Sequence, residues 1–179
     1  MGWWGGTLID SVQQSDKATF VSGYTRSRSE QDQEIARKHN LTLPASYEAM
    51  LADPAVQGVV LATPPPGHCD QMLAAIAAGK HIFCEKPFTM TRAEAVKVVE
   101  AARAKGVTLA VGYSRRFHPS WLDLKRRIAE GELGTILHVE CTMSGPNGLI
   151  PNPQAWRGDS KSAPCGGLFP MGVHAVDGM

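Results

Sequence analysis

Two rhythms of apolar and polar positions alternate along this chain. Val56-Gln57-Gly58-Val59-Val60-Leu61-Ala62 and Val107-Thr108-Leu109-Ala110-Val111-Gly112 are short, β-branched apolar runs closed by turn residues. That is the pattern of strands buried on both faces of a parallel sheet. His81-Ile82-Phe83-Cys84-Glu85 predicts a third strand and Ala18-Thr19-Phe20-Val21-Ser22 a fourth. Between them the spacing turns helical. Met72 to Ala78 is stopped by Gly79, and the stretch after Thr91 carries Ala93, Ala95, Val96, Val98, Val99, Ala101 and Ala102 before Lys105-Gly106. Ser29 to Asn40 predicts a polar helix with Ser29 as its N-cap. Tyr47–Leu51 predicts a short helix, and Trp121–Glu130 another that ends at Gly131. Strand, helix, strand in repetition is the βαβ unit, and its repetition predicts an α/β protein with a doubly wound, Rossmann-type parallel sheet.

After Gly134 the texture changes. Ile136-Leu137-His138-Val139-Glu140-Cys141-Thr142-Met143 alternates apolar with polar, which predicts a half-exposed strand of a different, antiparallel sheet. A loop rich in Pro, Gly and Asn over Ser144–Asn152 follows. The chain then runs through Gly166-Gly167 to Leu168-Phe169-Pro170-Met171-Gly172-Val173-His174-Ala175-Val176-Asp177, where His174 and Asp177 share one face if the stretch is helical.

Candidate chemistry gathers where predicted strands end, because ligands of open parallel sheets bind at the carboxyl ends of the strands. Glu85-Lys86-Pro87 closes one such strand. The pair is either a ligand-facing lysine with its acid or a structural ion pair. Thr63-Pro64, after Ala62, faces the same edge; His68 is either a ligand contact there or a helix-start residue. Gly2-Trp3-Trp4-Gly5 has the G-x-x-G spacing that closes a dinucleotide fingerprint at a helix start, with the first glycine and the preceding strand missing. Thr25 stands 20 residues beyond Gly5, where a carboxylate receives the ribose of NAD and an arginine a 2′-phosphate. Tyr24, Thr25 and Arg26 include no carboxylate, so NADP is favoured over NAD, unless Arg26 and Arg28 are merely solvated loop charges.

Bulk properties narrow the class. The chain is 43% apolar and 20% charged with a formal net charge of +1, which gives no electrostatic case for nucleic acid or an anionic membrane. No apolar run approaches the roughly 18 residues of a membrane span. The cysteines Cys69, Cys84, Cys141 and Cys165 lie far apart without metal-ligand spacing, so no metal is expected and a cytoplasmic location is. The chain opens on Met1-Gly2-Trp3-Trp4 with no strand before the glycines and stops at Val176-Asp177-Gly178-Met179 inside an element, so a fragment at both ends is expected.

Three segments stand in a specific order: Ala62-Thr63-Pro64 with His68, Gly79-Lys80-His81-Ile82-Phe83-Cys84-Glu85-Lys86-Pro87, and Gly166-Gly167 with Gly172-Val173-His174-Ala175-Val176-Asp177. Together with Tyr113-Ser114-Arg115-Arg116-Phe117-His118-Pro119, they resemble the glucose–fructose oxidoreductase / inositol 2-dehydrogenase / MocA family of NAD(P)-dependent oxidoreductases. The resemblance implies a nucleotide-binding domain over 1–120, lacking its first strand. The opening of an α+β substrate domain would occupy 121–179. It also implies hydride transfer with a hydroxyl-bearing carbon of a sugar or polyol, and a homo-oligomeric full-length protein. By position, Lys86 matches the lysine beside the nicotinamide and His174 the general acid/base, while Gly2, Trp3, Trp4, Gly5, Thr25, Arg26, Thr63, Pro64, His68, Glu85, Lys86 and Arg116 fall to the cofactor. The sequence departs from the pattern at Pro170, where the family frequently has an aspartate. That leaves substrate class open and keeps a non-catalytic dinucleotide-binding protein, or an inactive fragment, as the alternative.

Overall fold

Three parallel strands carry the architecture in this computed structural model, which describes residues 1–143 and 156–179. They are β1 (Gly58–Leu61), β2 (His81–Glu85) and β3 (Leu109–Gly112), in the order β1-β2-β3. The register sets Leu61 beside Cys84 and Glu85 beside Gly112, so all three strands end at one edge. Parallel neighbours need crossovers. Helix α4 (His68–Ala77) joins β1 to β2, and α5 (Arg92–Lys105) joins β2 to β3. The expected signals set the ends of α5: Thr91 and Glu94 form a reciprocal capping box, and Gly106 takes the left-handed conformation at φ 72°.

The main core forms where α4 and α5 lie on the sheet. Val59, Leu61, Ile82 and Cys84 of the strands meet Met72, Ala75 and Ile76 of α4 and Val98 and Ala102 of α5. Met72 and Val98 have no exposed surface. A smaller cluster joins α1 (Trp3–Val12) to α2 (Glu30–His39) through Ile9, Ala36 and Leu41. Ser29 caps α2 as its sequence predicts, with Asp32 returning the bond. The remaining helices are α3 (Tyr47–Ala52), α6 (Pro119–Ala129) and α7 (Gly172–Gly178).

Two expected strands do not form. Ala18–Ser22 is reduced to a single parallel bridge between Ser22 and Thr42. The Gln13 side chain takes the place of a neighbouring strand at Phe20: its Oε1 accepts from Phe20 N–H at 2.6 Å and its Nε2 donates to Phe20 O at 3.2 Å. No described strand lies on the other side of this segment, nor beside the free edge of β1. Ile136–Met143 likewise forms no strand. Alternation states only that a segment suits a half-buried sheet surface; without a described partner strand its apolar residues stay out, Leu137 at 91% exposure. The loop expected over Ser144–Asn152 lies outside the described residues.

Candidate functional site

Because β1, β2 and β3 end together, the loops after Leu61, Glu85 and Gly112 leave from one edge. His68 ties two of them. Its Nε2 meets Thr63 O at 2.8 Å, and its Nδ1 meets Pro87 O at 2.9 Å and Phe88 O at 3.2 Å. The ring has no exposed surface. Carbonyls therefore surround both nitrogens of His68, the residue expected either at the cofactor or at the helix start. Its work is to fix the Thr63-Pro64 loop and the Lys86-Pro87-Phe88 loop relative to each other. Cys84, whose Sγ lies 3.3 Å from the same ring, is buried, and desolvation pushes its thiol up to about 12, so it is an inert thiol.

Glu85 and Lys86 follow directly. Glu85 is 6% exposed, and Lys86 N–H donates to its Oε2 at 3.3 Å. Gly112 makes room for this carboxylate: a Cβ there would stand 2.8 Å from Glu85 Oε1 and 3.0 Å from Phe83 Cζ. Gly112→Ala is therefore expected to drive Glu85 out of place and to cost about 1–3 kcal/mol of stability as an overpacked site. Calorimetry of the variant checks this, and an unchanged Tm would show that the carboxylate moves freely.

Lys86 Nζ donates to the carbonyl of Pro170 at 2.9 Å, which fastens β2 to the turn entering α7. On that helix His174 is 9% exposed, and its Nδ1 has no partner among the described residues. The Tyr113 ring meets it edge-on, at 6.4 Å between centroids and 84° between planes. Desolvation lowers the His174 pKa below its ordinary 6.5. The charges of Lys86 and Arg115 add to this, and Asp177 opposes it. Burial likewise brings Lys86 below 10.5, with Glu85 opposing and Arg157 and Arg115 assisting. Lys86 thus lowers the affinity of the imidazole for a proton, and Arg115 bears on both groups.

Arg116, expected at the cofactor, is committed to α7. Its Nε donates to Asp177 Oδ2 at 2.8 Å and its Nη2 to Oδ1 at 2.6 Å, with the guanidinium over the Tyr113 ring at 5.8 Å. No local pattern pairs residues so far apart in sequence. Tyr113 was missed as a site residue for a related reason: only the fold turns its ring toward His174.

The N-terminal turn forms a separate group. Gly2 precedes α1 with no side-chain cap, no acidic residue lies in the first turn, and the first helical bond is Gly6 N–H to Gly2 O at 3.1 Å. The N–H groups of Trp3, Trp4 and Gly5 thus have no intrahelical acceptor, and a Cβ at Gly2 would meet nothing within 4 Å. The Trp4 indole N–H is also buried without a partner among the described residues. Free amides at a helix N-terminus beside a bare glycine suit a pyrophosphate. Met1 packs on Gly23 and its amino group meets Asp32, which places this turn at the end of the Ala18–Ser22 segment, beside Thr25. From there Tyr24 stacks on Tyr47, Tyr47 O–H donates to Gln71 O at 3.0 Å, and Thr63 O–H donates to Gln71 Oε1 at 2.6 Å. The two groups of candidate residues are therefore linked through Tyr47 and Gln71. Of the two arginines past this segment, Arg28 donates to the Leu43 and Pro44 carbonyls, whereas Arg26 makes no ion pair among the described residues. No cluster of three potential metal ligands occurs among the described residues, and no helix there is long and apolar enough to cross a membrane.

A parallel sheet with an uncapped glycine turn at a helix start and a lysine at its carboxyl edge has the layout of a dinucleotide-binding α/β fold. Comparison with known proteins agrees. Residues 1–113 match the model of an oxidoreductase family with an NAD-binding Rossmann fold, and residues 121–179 match the GFO/IDH/MocA C-terminal domain. The chain belongs to the GFO/IDH/MocA family. It is 36% identical over 131 residues to the scyllo-inositol 2-dehydrogenase (NADP(+)) of Bacillus subtilis, covering 73% of this chain and 36% of that protein. It is 41% identical over 94 residues to the scyllo-inositol 2-dehydrogenase (NAD(+)) of the same organism, covering 52% and 27%. Its fold matches the crystal structure of an NAD-binding protein from Listeria innocua with a TM-score of 0.86 at 30% identity, over 99% of this chain and 51% of that one. The chain thus spans about half, or less, of the length of the proteins it matches.

Proposed function

We propose that the protein transfers hydride between a nicotinamide cofactor and a hydroxyl-bearing carbon of a sugar or polyol, with Lys86 and His174 as the working pair. One observation carries this reading: at the carboxyl edge of the sheet Lys86 bonds the carbonyl of Pro170, in the turn that enters the helix of His174, and its charge depresses the pKa of that imidazole. Oxidising a carbinol requires a group to accept the hydroxyl proton. A neutral imidazole does so, and burial with two neighbouring cations keeps His174 neutral at physiological pH. Lys86 stabilises the developing alkoxide. With one N–H on Pro170 O, it holds its head in place and keeps two donors for the reacting oxygen. Glu85 sets the loop that carries the lysine. The nicotinamide, when bound, takes the hydride. In this reading residues 1–120 bind the dinucleotide, the free amides of Trp3, Trp4 and Gly5 meeting its pyrophosphate, and residues 121–179 begin the substrate domain. The widely spaced cysteines support a cytoplasmic setting.

We further propose NADP as the preferred cofactor, supported by the absence of a carboxylate over Tyr24–Arg26 and by Arg26 making no ion pair among the described residues. Arg26→Ala is expected to weaken NADPH binding by about 10- to 100-fold, the worth of a charge-assisted hydrogen bond, and NADH binding little. Fluorescence titration with both cofactors checks this; equal losses for the two would remove the assignment of Arg26 to the 2′-phosphate.

Pro170 also favours a second reading, a dinucleotide-binding protein without turnover, because proline supplies no carboxylate where the family frequently has an aspartate. Spectrophotometric assay over a panel of sugars and polyols separates the two readings. Appearance of reduced nicotinamide supports the enzyme, and bound cofactor with no redox change supports the binder.

A further inference from the structure

Helix α7 carries His174 but has little of its own to hold it in place. It is 7 residues long, no side chain caps its start, and His174 is its one buried residue. A helix this short is unstable alone, so contacts from outside set its position. Two of these contacts stand at its opposite ends. At the entry, Lys86 Nζ donates to Pro170 O at 2.9 Å. At the exit, Arg116 grips Asp177 through Nε to Oδ2 at 2.8 Å and Nη2 to Oδ1 at 2.6 Å. Beside the exit, the Trp121 ring packs on Gly178 so closely that a side chain there would find no room. His174 lies between the two ties.

An ion pair open to solvent on both sides adds little. The exit tie differs, because the Asp177 side chain is 10% exposed and the planar fork of Arg116 meets both its oxygens. The same guanidinium lies over the Tyr113 ring, 5.8 Å from its centroid, and that ring stands nearly perpendicular to His174 with 6.4 Å between centroids. Arg116 and Tyr113 belong to one turn, closed by Arg116 N–H donating to Tyr113 O at 3.0 Å. This turn therefore meets α7 at two side chains three residues apart, which share one face of the helix. With both its oxygens on Arg116, Asp177 makes no bond to the imidazole, whose Nδ1 has no partner among the described residues.

We propose that Arg116 is a positioning residue for His174: by gripping Asp177 and lying over Tyr113 it fixes α7 against the end of β3 and keeps the carboxylate off the imidazole. This rests on the hydride-transfer reading above and adds a residue to it. The charges around the ring give the test its sign. Burial, then Lys86 and Arg115, lower the His174 pKa, and Asp177 raises it. Losing Arg116 unmasks the carboxylate and raises that pKa, whereas losing the carboxylate lowers it further.

The test compares Arg116→Met, Arg116→Lys and Asp177→Asn with the wild-type full chain, using NADP with scyllo-inositol, myo-inositol and D-xylose. Steady-state kinetics over pH are measured beside NMR titration of the His174 ring protons, assigned by their loss in His174→Ala. Arg116→Met is expected to lower kcat about 10- to 100-fold, as misplacing a reacting group by about 1 Å does, with KM for NADP near wild type. Its acid limb and its His174 midpoint should both move to higher pH. Arg116→Lys keeps a cation without the fork and should recover part of kcat. Asp177→Asn should move both midpoints to lower pH. Wild-type kcat and midpoints in Arg116→Met would overturn the inference. So would a raised KM for NADP at unchanged kcat, which would return Arg116 to the cofactor. If the wild type turns over none of the three compounds with NADP bound, that failure falls on the hydride-transfer reading, and the NMR titration decides the clamp. Opposite shifts of the His174 midpoint in Arg116→Met and Asp177→Asn would uphold it, and a midpoint that follows neither substitution would overturn it.

Discussion

Lys86→Met is expected to lower kcat/KM for carbinol oxidation by about 10²–10³-fold, the loss seen when one preorganised donor to a developing oxyanion is removed. Methionine keeps much of the length and apolar stem of lysine, so packing against the Pro170 turn is largely retained. What disappears is the ammonium and its bond to Pro170 O. That bond is half-buried and contributes about 1 kcal/mol, so the fold survives. Cofactor affinity and Tm measured on the same sample make the result specific: both stay near wild type while turnover falls. Were turnover and Tm to fall together, Lys86 would be a structural tie between β2 and α7.

The second large effect belongs to His174. His174→Ala is expected to cost about 10²–10⁴-fold in turnover, the usual worth of a positioned general base. Its pH profile identifies the role. The pKa of His174 is lowered from 6.5 by burial first and then by Lys86 and Arg115, so its neutral, proton-accepting form persists below 6.5. Oxidation by the wild type should therefore rise with pH through an acid limb centred below 6.5, and this limb should vanish in His174→Ala. The alkaline limb belongs to Lys86, which loses its proton below 10.5. Stability follows the same sign. Because the folded pKa of His174 lies below the unfolded one, its contribution is fully present above 6.5 and declines as pH falls through that value. An acid limb that persists unchanged in His174→Ala would assign the titration to another group.

The strands and helices around the site were legible because their signals are local. His81–Glu85 forms β2 over the predicted residues, and Thr91 and Gly106 bound α5 through a capping side chain and a left-handed turn. Lys86 was legible at the end of β2 for the same reason. Features that depend on remote partners were not. Ala18–Ser22 has the composition of a strand, yet a strand exists only with neighbours, and the Gln13 amide takes up its backbone instead. His68 reads as a ligand contact or a helix-start residue, and only the fold shows Thr63, Pro87 and Phe88 around its ring. Arg116 sits in a family segment that suggested the cofactor, but Asp177, distant in sequence, holds it. The contact between Lys86 and Pro170 involves a backbone carbonyl, which no residue type reveals. Proline at that position removes a carboxylate from the sequence pattern, and the structure shows the same residue supplying its carbonyl to the lysine.

The central claim is that Lys86 and His174 serve hydride transfer at the end of β2. The most direct test is to add sugars, polyols and their acids to the NADP-loaded protein and follow reduced nicotinamide by its absorbance, with Lys86→Met measured beside the wild type. The account predicts absorbance that grows with substrate in the wild type and is nearly lost in Lys86→Met at equal cofactor occupancy. Equal growth in both proteins would contradict it, as would bound cofactor that no compound in the panel reduces.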